Sequence, residues 1–227
     1  MDRLCDHYPW AGSSQVAGLS ILCLDGDAST ASSQSQKAES EFTFTMLMVK
    51  LLKAEEIVRL VSCNHGRLHY ELVLRKNGLD LARLESSGLL NITYVVSRRS
   101  ADDCSGSVDW QGLVNMFDGG ISDATNVLID DLDALELLSP NAPSCRELIS
   151  LVNHRVHSLR DSSGAGVCTL AMYGREVARS GGPVLDDDGQ PPLSEWFRDG
   201  ADIVVHSKNL ASGYSRYPLH ISPFSQY

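Results

Sequence analysis

The sequence has few basic residues and lacks a long apolar run. Its 227 residues contain 19 lysines and arginines against 29 aspartates and glutamates, which gives a formal charge of −10. Nucleic-acid binding draws on a concentrated basic surface, so this charge argues against RNA binding by the chain alone. The longest apolar candidate, residues 42–52, is interrupted by Thr43, Thr45 and Lys50 and falls short of the ~20 residues of a membrane span. We expect a soluble protein.

Closely spaced cysteines and a secretory signal are also lacking. No two of the six cysteines lie two or three positions apart, which favours reduced core thiols over a disulfide or zinc framework. Asp2, Arg3 and Asp6 precede any apolar run, the wrong order for a signal peptide. We therefore expect a cytoplasmic and nuclear location. The cysteines are Cys5, Cys23, Cys63, Cys104, Cys145 and Cys168.

Short apolar runs alternate with helix-length amphipathic segments. Such alternation is typical of a parallel sheet covered by helices on both faces. The predicted fold class is therefore α/β, with a mostly parallel sheet in a domain of residues 19–216, an N-terminal extension at 1–18 and a tail at 217–227. The pattern predicts strands at 19–24, 57–61, 91–96, 126–130, 166–173 and 201–206, and helices at 36–54, 67–77, 108–117, 143–159 and 193–198.

The loop after the first strand is where such a sheet usually holds phosphate. A nucleotide-hydrolysing loop needs Gly, four residues, then Gly-Lys-Ser/Thr, because glycine backbone wraps the phosphates, lysine neutralises them and the hydroxyl binds magnesium. Here only one glycine is present, two aspartates flank it and would repel phosphate, and no lysine precedes Lys37. We predict a degenerate phosphate loop at Asp25, Gly26, Asp27, Ser29 and Thr30.

Asp130 and Asp131 follow a strand of the kind that carries the metal-holding acid in P-loop ATPases. In a functional interpretation Asp130 binds magnesium or water. In a structural interpretation it caps the next turn, and the missing phosphate lysine favours this second interpretation. We predict a structural remnant of a Walker B acid at these two residues.

Other candidate sites are weaker. His65 and His69 are four residues apart and His154 and His157 three apart, so either pair could chelate zinc if both rings faced inward, but spacing fixes no third ligand. Residues 186–188 are three aspartates, typical of a solvated loop, with calcium binding left open. No Gly-x-Ser-x-Gly motif is present. We predict no catalytic constellation, no resident metal and no cofactor.

Three segments of the chain resemble a known protein family in their residues, order and spacing. Residues 69–81 carry His-Tyr followed by Leu-Arg-Lys-Asn-Gly, residues 126–135 carry a strand ending in Asp-Asp, and residues 201–216 carry a strand followed by Leu-Ala-Ser-Gly. In this order and spacing they resemble the Elongator complex protein 6 family. The resemblance covers most of residues 57–216.

The resemblance implies a RecA-like (P-loop NTPase-like) domain without a functional P-loop. It implies a non-catalytic subunit that joins Elongator subunits 4 and 5 in a hexameric ring of two copies each. That ring supports modification of the wobble uridine of tRNA and is also linked to transcription elongation. Exposed apolar residues on the helices near His69 and Leu148 are expected to be covered by neighbouring subunits.

The end of the chain departs from the family pattern. Where family members continue with Asp-Val-His-Gly-Gln and further strands, this chain reads Tyr-Pro-Leu-His-Ile-Ser-Pro from Tyr217 and ends at Tyr227. Pro218 and Pro223 would remove backbone donors from a ladder formed there. We therefore expect a truncated or alternatively spliced product with an open sheet edge.

The sequence also offers candidate residues for RNA contact and two alternative functions. By analogy with channel-facing loops of RecA-like rings, Arg175 and Arg179, in the loop after the 166–173 strand, are the RNA-contact candidates, although they could instead balance the aspartates at 186–188. One alternative is an atypical RecA-like ATPase that uses Ser29, Thr30 and Asp130 around magnesium, with Lys37 reaching in. A small-molecule enzyme on a doubly wound sheet lacks any glycine fingerprint.

Overall fold

The computed structural model describes residues 19–25, 40–95, 110, 113, 125–138, 142–163, 170–175, 193–207 and 220–223. Within them strands and helices alternate, as the sequence pattern predicts. The strands are β1 (Ser20–Asp25), β2 (Ile57–Ser62), β3 (Leu90–Tyr94), β4 (Thr125–Asp130), β5 (Leu170–Arg175), β6 (Ile203–Ser207) and β7 (His220–Pro223). The helices are α1 (Ser40–Lys53), α2 (Arg67–Lys76), α3 (Leu81–Ser86), α4 (Leu132–Leu138), α5 (Ala142–Ser163) and α6 (Leu193–Arg198).

The seven strands form one sheet in the order β3-β2-β4-β5-β1-β6-β7. Every neighbouring pair is parallel except β6 and β7, which pair antiparallel. The α/β fold class with a mostly parallel sheet flanked by helices is confirmed. None of the helices among the described residues is long and apolar enough to cross a lipid bilayer.

The core consists of two apolar layers, one on each face of the sheet. Successive side chains of a strand point to opposite faces, so Ile21 of β1 packs with α1 to α3 whereas Leu22 packs with α4 to α6. The first layer includes Phe44, and the second includes Phe197. Because both faces are covered, the strands are apolar at nearly every position and read as continuous hydrophobic runs.

Helix α1 shows where periodicity alone misplaces a buried face. The sequence places Phe42, Met46, Val49 and Lys53 on one helical side, with Leu47 and Leu51 extending the apolar stripe. Val49, Leu47 and Leu51 are buried, whereas Lys53 is exposed and Phe42 and Met46 are only partly buried. The face that meets the sheet is centred on Phe44 and Met48, both at most 2% exposed. The apolar stripe of α1 is wide, so the sheet's position decides which part of it is covered.

Two short helices and one strand are absent from the sequence prediction. Helices α3 and α4 span six and seven residues, too short for a clear helical period. Strand β7 runs antiparallel beside β6. Ile203 pairs with Pro223 at one end of the ladder, and His206 pairs with His220 at the other. The expectation of an open edge beside β6 is therefore wrong: β7 covers it, and Pro223 is tolerated because it lies at the end of an edge strand.

Of the predicted helix at residues 108–117, only Trp110 and Leu113 lie among the described residues. Both are helical, and Leu113 is buried against the layer formed by α4 to α6.

Candidate functional site

The carboxyl ends of the parallel strands meet at one edge of the sheet. Asp25 of β1 and Arg175 of β5 are register partners there, and so are Ser62 of β2 and Asp130 of β4. Since β5 lies between β1 and β4, Asp25 and Asp130 are two strand spacings apart, about 10 Å across the sheet. The register also places Asp25 two residues further along its strand than Asp130. The two acids predicted from sequence therefore share an edge without being neighbours.

Several predicted site residues fall outside the part of the chain that the structure describes. They are Gly26, Asp27, Ser29, Thr30, Lys37, Arg179 and residues 186–188. The predictions made for them stay predictions. The prediction that Arg175 lies in the loop after the strand is wrong. Arg175 is the last residue of β5, which ends at residue 175 and not at residue 173. The cause is that the polar Gly174-Arg175 pair breaks the apolar run that marks the strand.

Asp130 is buried, 3% exposed, and its carboxylate accepts hydrogen bonds from the turn between β2 and α2. Oδ1 accepts from the backbone N–H of Cys63 at 2.5 Å and from that of Asn64 at 3.1 Å. Oδ2 accepts from the hydroxyl of Tyr70 and lies 2.8 Å from Oγ of Ser62. Both oxygens are therefore occupied by groups of the chain itself.

The Ser62 hydroxyl is shared within this network. Its Oγ also lies 2.7 Å from the carbonyl oxygen of His65, and its single proton serves either that carbonyl or Asp130. Burial and the Asp130 carboxylate raise the pKa of the Tyr70 phenol, which therefore keeps its proton and remains a donor. Burial and the same carboxylate raise the pKa of the Cys63 thiol. The network is a set of neutral donors around one acid.

Asp131 has a different role from Asp130. Its Oδ1 accepts the backbone N–H of Ala134 at 3.0 Å, and its carbonyl accepts that of Leu135, so it caps the N-terminus of α4. Its φ is +60°, a conformation that aspartate tolerates better than most residues. The sequence interpretation gives the capping role to Asp130; the structure gives it to Asp131, while Asp130 holds the β2–α2 turn.

His65 and His69 lie together beside a third group, Glu41 in the first turn of α1. The imidazole rings stack with centroids 3.8 Å apart and planes 7° apart. Nε2 of His65 donates to Oε1 of Glu41 at 2.8 Å, and Nε2 of His69 lies 3.6 Å from the same oxygen. These side chains border a shallow cleft together with Phe44, Thr45, Asn64, Tyr70, Asp130 and Asp131.

The two histidines have opposite pKa shifts. The hydrogen bond to Glu41 raises the pKa of His65, and Asp130 and Asp131 contribute in the same direction. Burial lowers the pKa of His69, and the neighbouring His65 lowers it further. His65 therefore holds its proton more tightly than His69.

The structure gives less support to zinc chelation by the second histidine pair, His154 and His157. His154 is exposed on α5, and the side chain of His157 lies outside the described residues.

Large apolar side chains are exposed on α2 and α5, the two helices that the assembly hypothesis names, and also at Leu137 of α4, which it does not name. On α2, Leu68 is 66% and Leu72 38% exposed, whereas Tyr70 and Leu74 of the same helix are buried. On α5, Leu151 is 37% exposed near buried Leu148. The sequence pattern places Leu68, Leu72 and Arg75 in one row of α2, and in the structure all three are exposed.

Sequence reasoning missed several residues of this site. Glu41, Ser62, Asn64 and Tyr70 are not singled out by any spacing rule, although the His-Tyr pair at residues 69–70 opens the first of the family-like segments. Parallel pairing of β2 with β4 is the one signal that would have placed the β2–α2 turn beside Asp130.

Comparison with known proteins identifies the fold. No protein-family model matches the sequence, and no curated protein matches it. Solved structures do match, among them the KaiC-like protein PH0186 from the hyperthermophilic archaeon Pyrococcus horikoshii OT3, at 14% sequence identity and a TM-score of 0.50. The match covers 92% of this chain and 86% of that one. The likeness supports a RecA-like fold for the chain.

Proposed function

We propose that this RecA-like chain is a non-catalytic subunit of the Elongator complex. In this proposal it forms a hexameric ring with Elongator subunits 4 and 5, two copies of each, and supports tRNA wobble uridine modification. The link to transcription elongation and the cytoplasmic and nuclear location belong to the same proposal. The observation that carries its non-catalytic part is the occupied carboxylate of Asp130.

A metal-holding acid must offer a free oxygen to magnesium or to the attacking water. The donors of Cys63, Asn64 and Tyr70 already occupy the Asp130 carboxylate, and displacing the Cys63 N–H or the Tyr70 hydroxyl would leave a buried donor unsatisfied. Such a carboxylate stabilises a turn rather than a nucleotide. This geometry supports the interpretation of Asp130 as a structural remnant.

Phosphate binding also lacks its usual lysine. The sequence contains no Gly-Lys pair anywhere, and Lys37 stands eleven residues after Gly26. A phosphate loop without lysine leaves the charge of a triphosphate uncompensated, and Asp25 and Asp27 add to it. These features disfavour the alternative of an atypical RecA-like ATPase.

The assembly part of the proposal is supported by the outward-facing leucines. Leu68 and Leu72 form an exposed apolar face on α2, a helix that carries the first of the family-like segments. Rings of like-folded subunits bury such faces in heterologous contacts that close on themselves. The three segments that resemble Elongator complex protein 6 suggest the partners.

RNA contact is assigned in this proposal to Arg175 and Arg179. With a net charge of −10, the chain can meet tRNA only through a local basic patch or a basic partner. Arg175 ends β5 at the carboxyl edge of the sheet, the edge at which ligands of open α/β sheets usually lie.

Two measurements test the proposal. The full chain is coexpressed with Elongator subunits 4 and 5, and the mass of the purified assembly is measured by light scattering; a mass matching two copies of each supports it. A chain that stays monodisperse and apart from both subunits would contradict the assembly. Titration calorimetry of the chain alone with Mg·ATP is expected to give no binding; tight binding would contradict this part of the proposal and favour the ATPase alternative.

A further inference from the structure

We propose that Glu41, His65 and His69 form a binding site for a divalent transition-metal ion, with Zn²⁺ the best match. The site goes beyond the proposed assembly role and does not depend on it. The three residues come from the first turn of α1, the turn after β2 and the first turn of α2. Among the described residues, these three are the group whose ligand atoms all lie within 4.8 Å of one another.

The spacing of the ligand atoms suits tetrahedral coordination. Zinc binds imidazole nitrogen and carboxylate oxygen at about 2.1 Å, which places neighbouring ligand atoms about 3.4 Å apart. Nε2 of His69 and Oε1 of Glu41 are already 3.6 Å apart. Nε2 of His65 and Oε1 are 2.8 Å apart because a hydrogen bond joins them. Entry of the ion would replace that proton and open the pair by roughly half an ångström. It would also turn the two imidazole rings out of their parallel stack, because each ring binds an ion through a lone pair in its own plane.

The donor set selects among metals. Two imidazoles and one carboxylate suit Zn²⁺ and its transition-metal neighbours, whereas Mg²⁺ and Ca²⁺ prefer sites made of oxygen. Three protein ligands leave a fourth position for water. The side chains of His65, His69 and Glu41 are 24%, 32% and 37% exposed, so an ion can reach them from solvent without unfolding the chain.

The surrounding structure positions these ligands. The backbone N–H groups of Cys63 and Asn64 donate to buried Asp130, and the carbonyl of His65 lies 2.7 Å from Oγ of Ser62, so the turn that carries His65 is fixed. His69 contacts the edge of the Tyr70 ring, itself held by Asp130. Ligands held in place by such outer contacts lose less freedom when an ion binds.

The test is a calorimetric titration of the full, reduced chain with ZnCl₂. We expect one Zn²⁺ per chain, and affinity at least about tenfold weaker in each of three separate variants, Glu41→Gln, His65→Gln and His69→Gln. His154→Gln, which changes an exposed histidine of α5, is the control and should bind as the unmodified chain does. Circular dichroism checks that each variant is folded. If one variant does not fold, the other two still test the proposal.

A titration with CoCl₂ separates this site from the cysteines. Coordination by nitrogen and oxygen gives visible d–d bands without a thiolate-to-cobalt charge-transfer band, and these bands should disappear in His69→Gln. Absence of Zn²⁺ binding overturns the proposal. So does binding that the three variants leave unchanged, or a cobalt spectrum dominated by thiolate charge transfer.

Discussion

The hydroxyl of Tyr70 donates a hydrogen bond to the carboxylate of Asp130, which joins α2 to the end of β4 in the interior of the protein. The backbone N–H groups of Cys63 and Asn64 donate to the same carboxylate, and the Ser62 hydroxyl lies 2.8 Å from it, so one buried acid organises the β2–α2 turn.

The first prediction concerns the Tyr70 hydroxyl. Tyr70→Phe removes one of the donors to Asp130 and should lower the free energy of unfolding by about 1–3 kcal/mol, measured by urea denaturation. Tyr94→Phe is the matched control, since the Tyr94 hydroxyl is buried without a hydrogen-bond partner among the described residues and the nearby Arg67 is held by both oxygens of Glu85. Equal losses in the two variants would show that the hydrogen bond from Tyr70 to Asp130 adds no stability.

The second prediction concerns the cap of α4. Asp131→Ala loses the hydrogen bond to Ala134 and places an alanine at φ +60°, so unfolding free energy should fall by about 1–3 kcal/mol. Asp131→Asn keeps an accepting oxygen and tolerates this φ, and should stay within about 0.5 kcal/mol of the unmodified protein. Thermal unfolding of the two variants side by side is the measurement; an alanine variant as stable as the asparagine variant would refute the capping role.

The third prediction concerns the exposed leucines of α2. Leu68→Glu and Leu72→Glu should leave the fold of the isolated chain intact, because both side chains already contact solvent. In coexpression with Elongator subunits 4 and 5, the same changes should weaken assembly at least about tenfold, since a charge would enter an apolar interface. Lys76→Glu, at an exposed position of the same helix, controls for added charge. Normal assembly of both leucine variants would show that the interface does not include Leu68 and Leu72.

The fourth prediction concerns the proposed RNA contact in the proposed ring. Replacing both Arg175 and Arg179 with glutamate should weaken tRNA binding and lower the slope of log affinity against log salt by about 1 for each phosphate that the ring no longer neutralises. Lys53→Glu, at the exposed end of α1 before β2, should change neither quantity. An unchanged salt slope in the double arginine variant would remove these residues from the site.

The fifth prediction concerns pH. Burial, with a smaller contribution from Glu136, raises the pKa of the Cys145 thiol to about 12. The folded state therefore holds this proton more tightly than the unfolded state, and the resulting stability is present below about pH 9 and is lost as pH rises toward 12. Between pH 8 and 10.5 the loss due to Cys145 should be about 2 kcal/mol, so Cys145→Ala should lose about 2 kcal/mol less than the unmodified protein. The loss due to Cys63, whose pKa is also raised, stays in both profiles. Identical profiles for the two proteins would contradict the raised pKa.

Local pattern is sufficient for most elements of the sheet. Strand β4 is predicted at residues 126–130 and runs from Thr125 to Asp130, and α6 is predicted at the bounds that it has. Both are recognisable because their apolar residues fall within one short window. Helix α4 escapes prediction because seven residues complete only two turns.

The sequence by itself determined the alternation of strands and helices, the sheet covered on both faces and the missing Gly-Lys of a phosphate loop, since each is a property of neighbouring residues. Only the tertiary structure decided that Glu41 meets His65 and His69, that Tyr70 donates to Asp130 and that β7 covers the edge of β6. The physical reason is that these contacts join elements distant in sequence. They depend on the order and register of all the strands in the sheet, and the local periodicity of the sequence does not predict these.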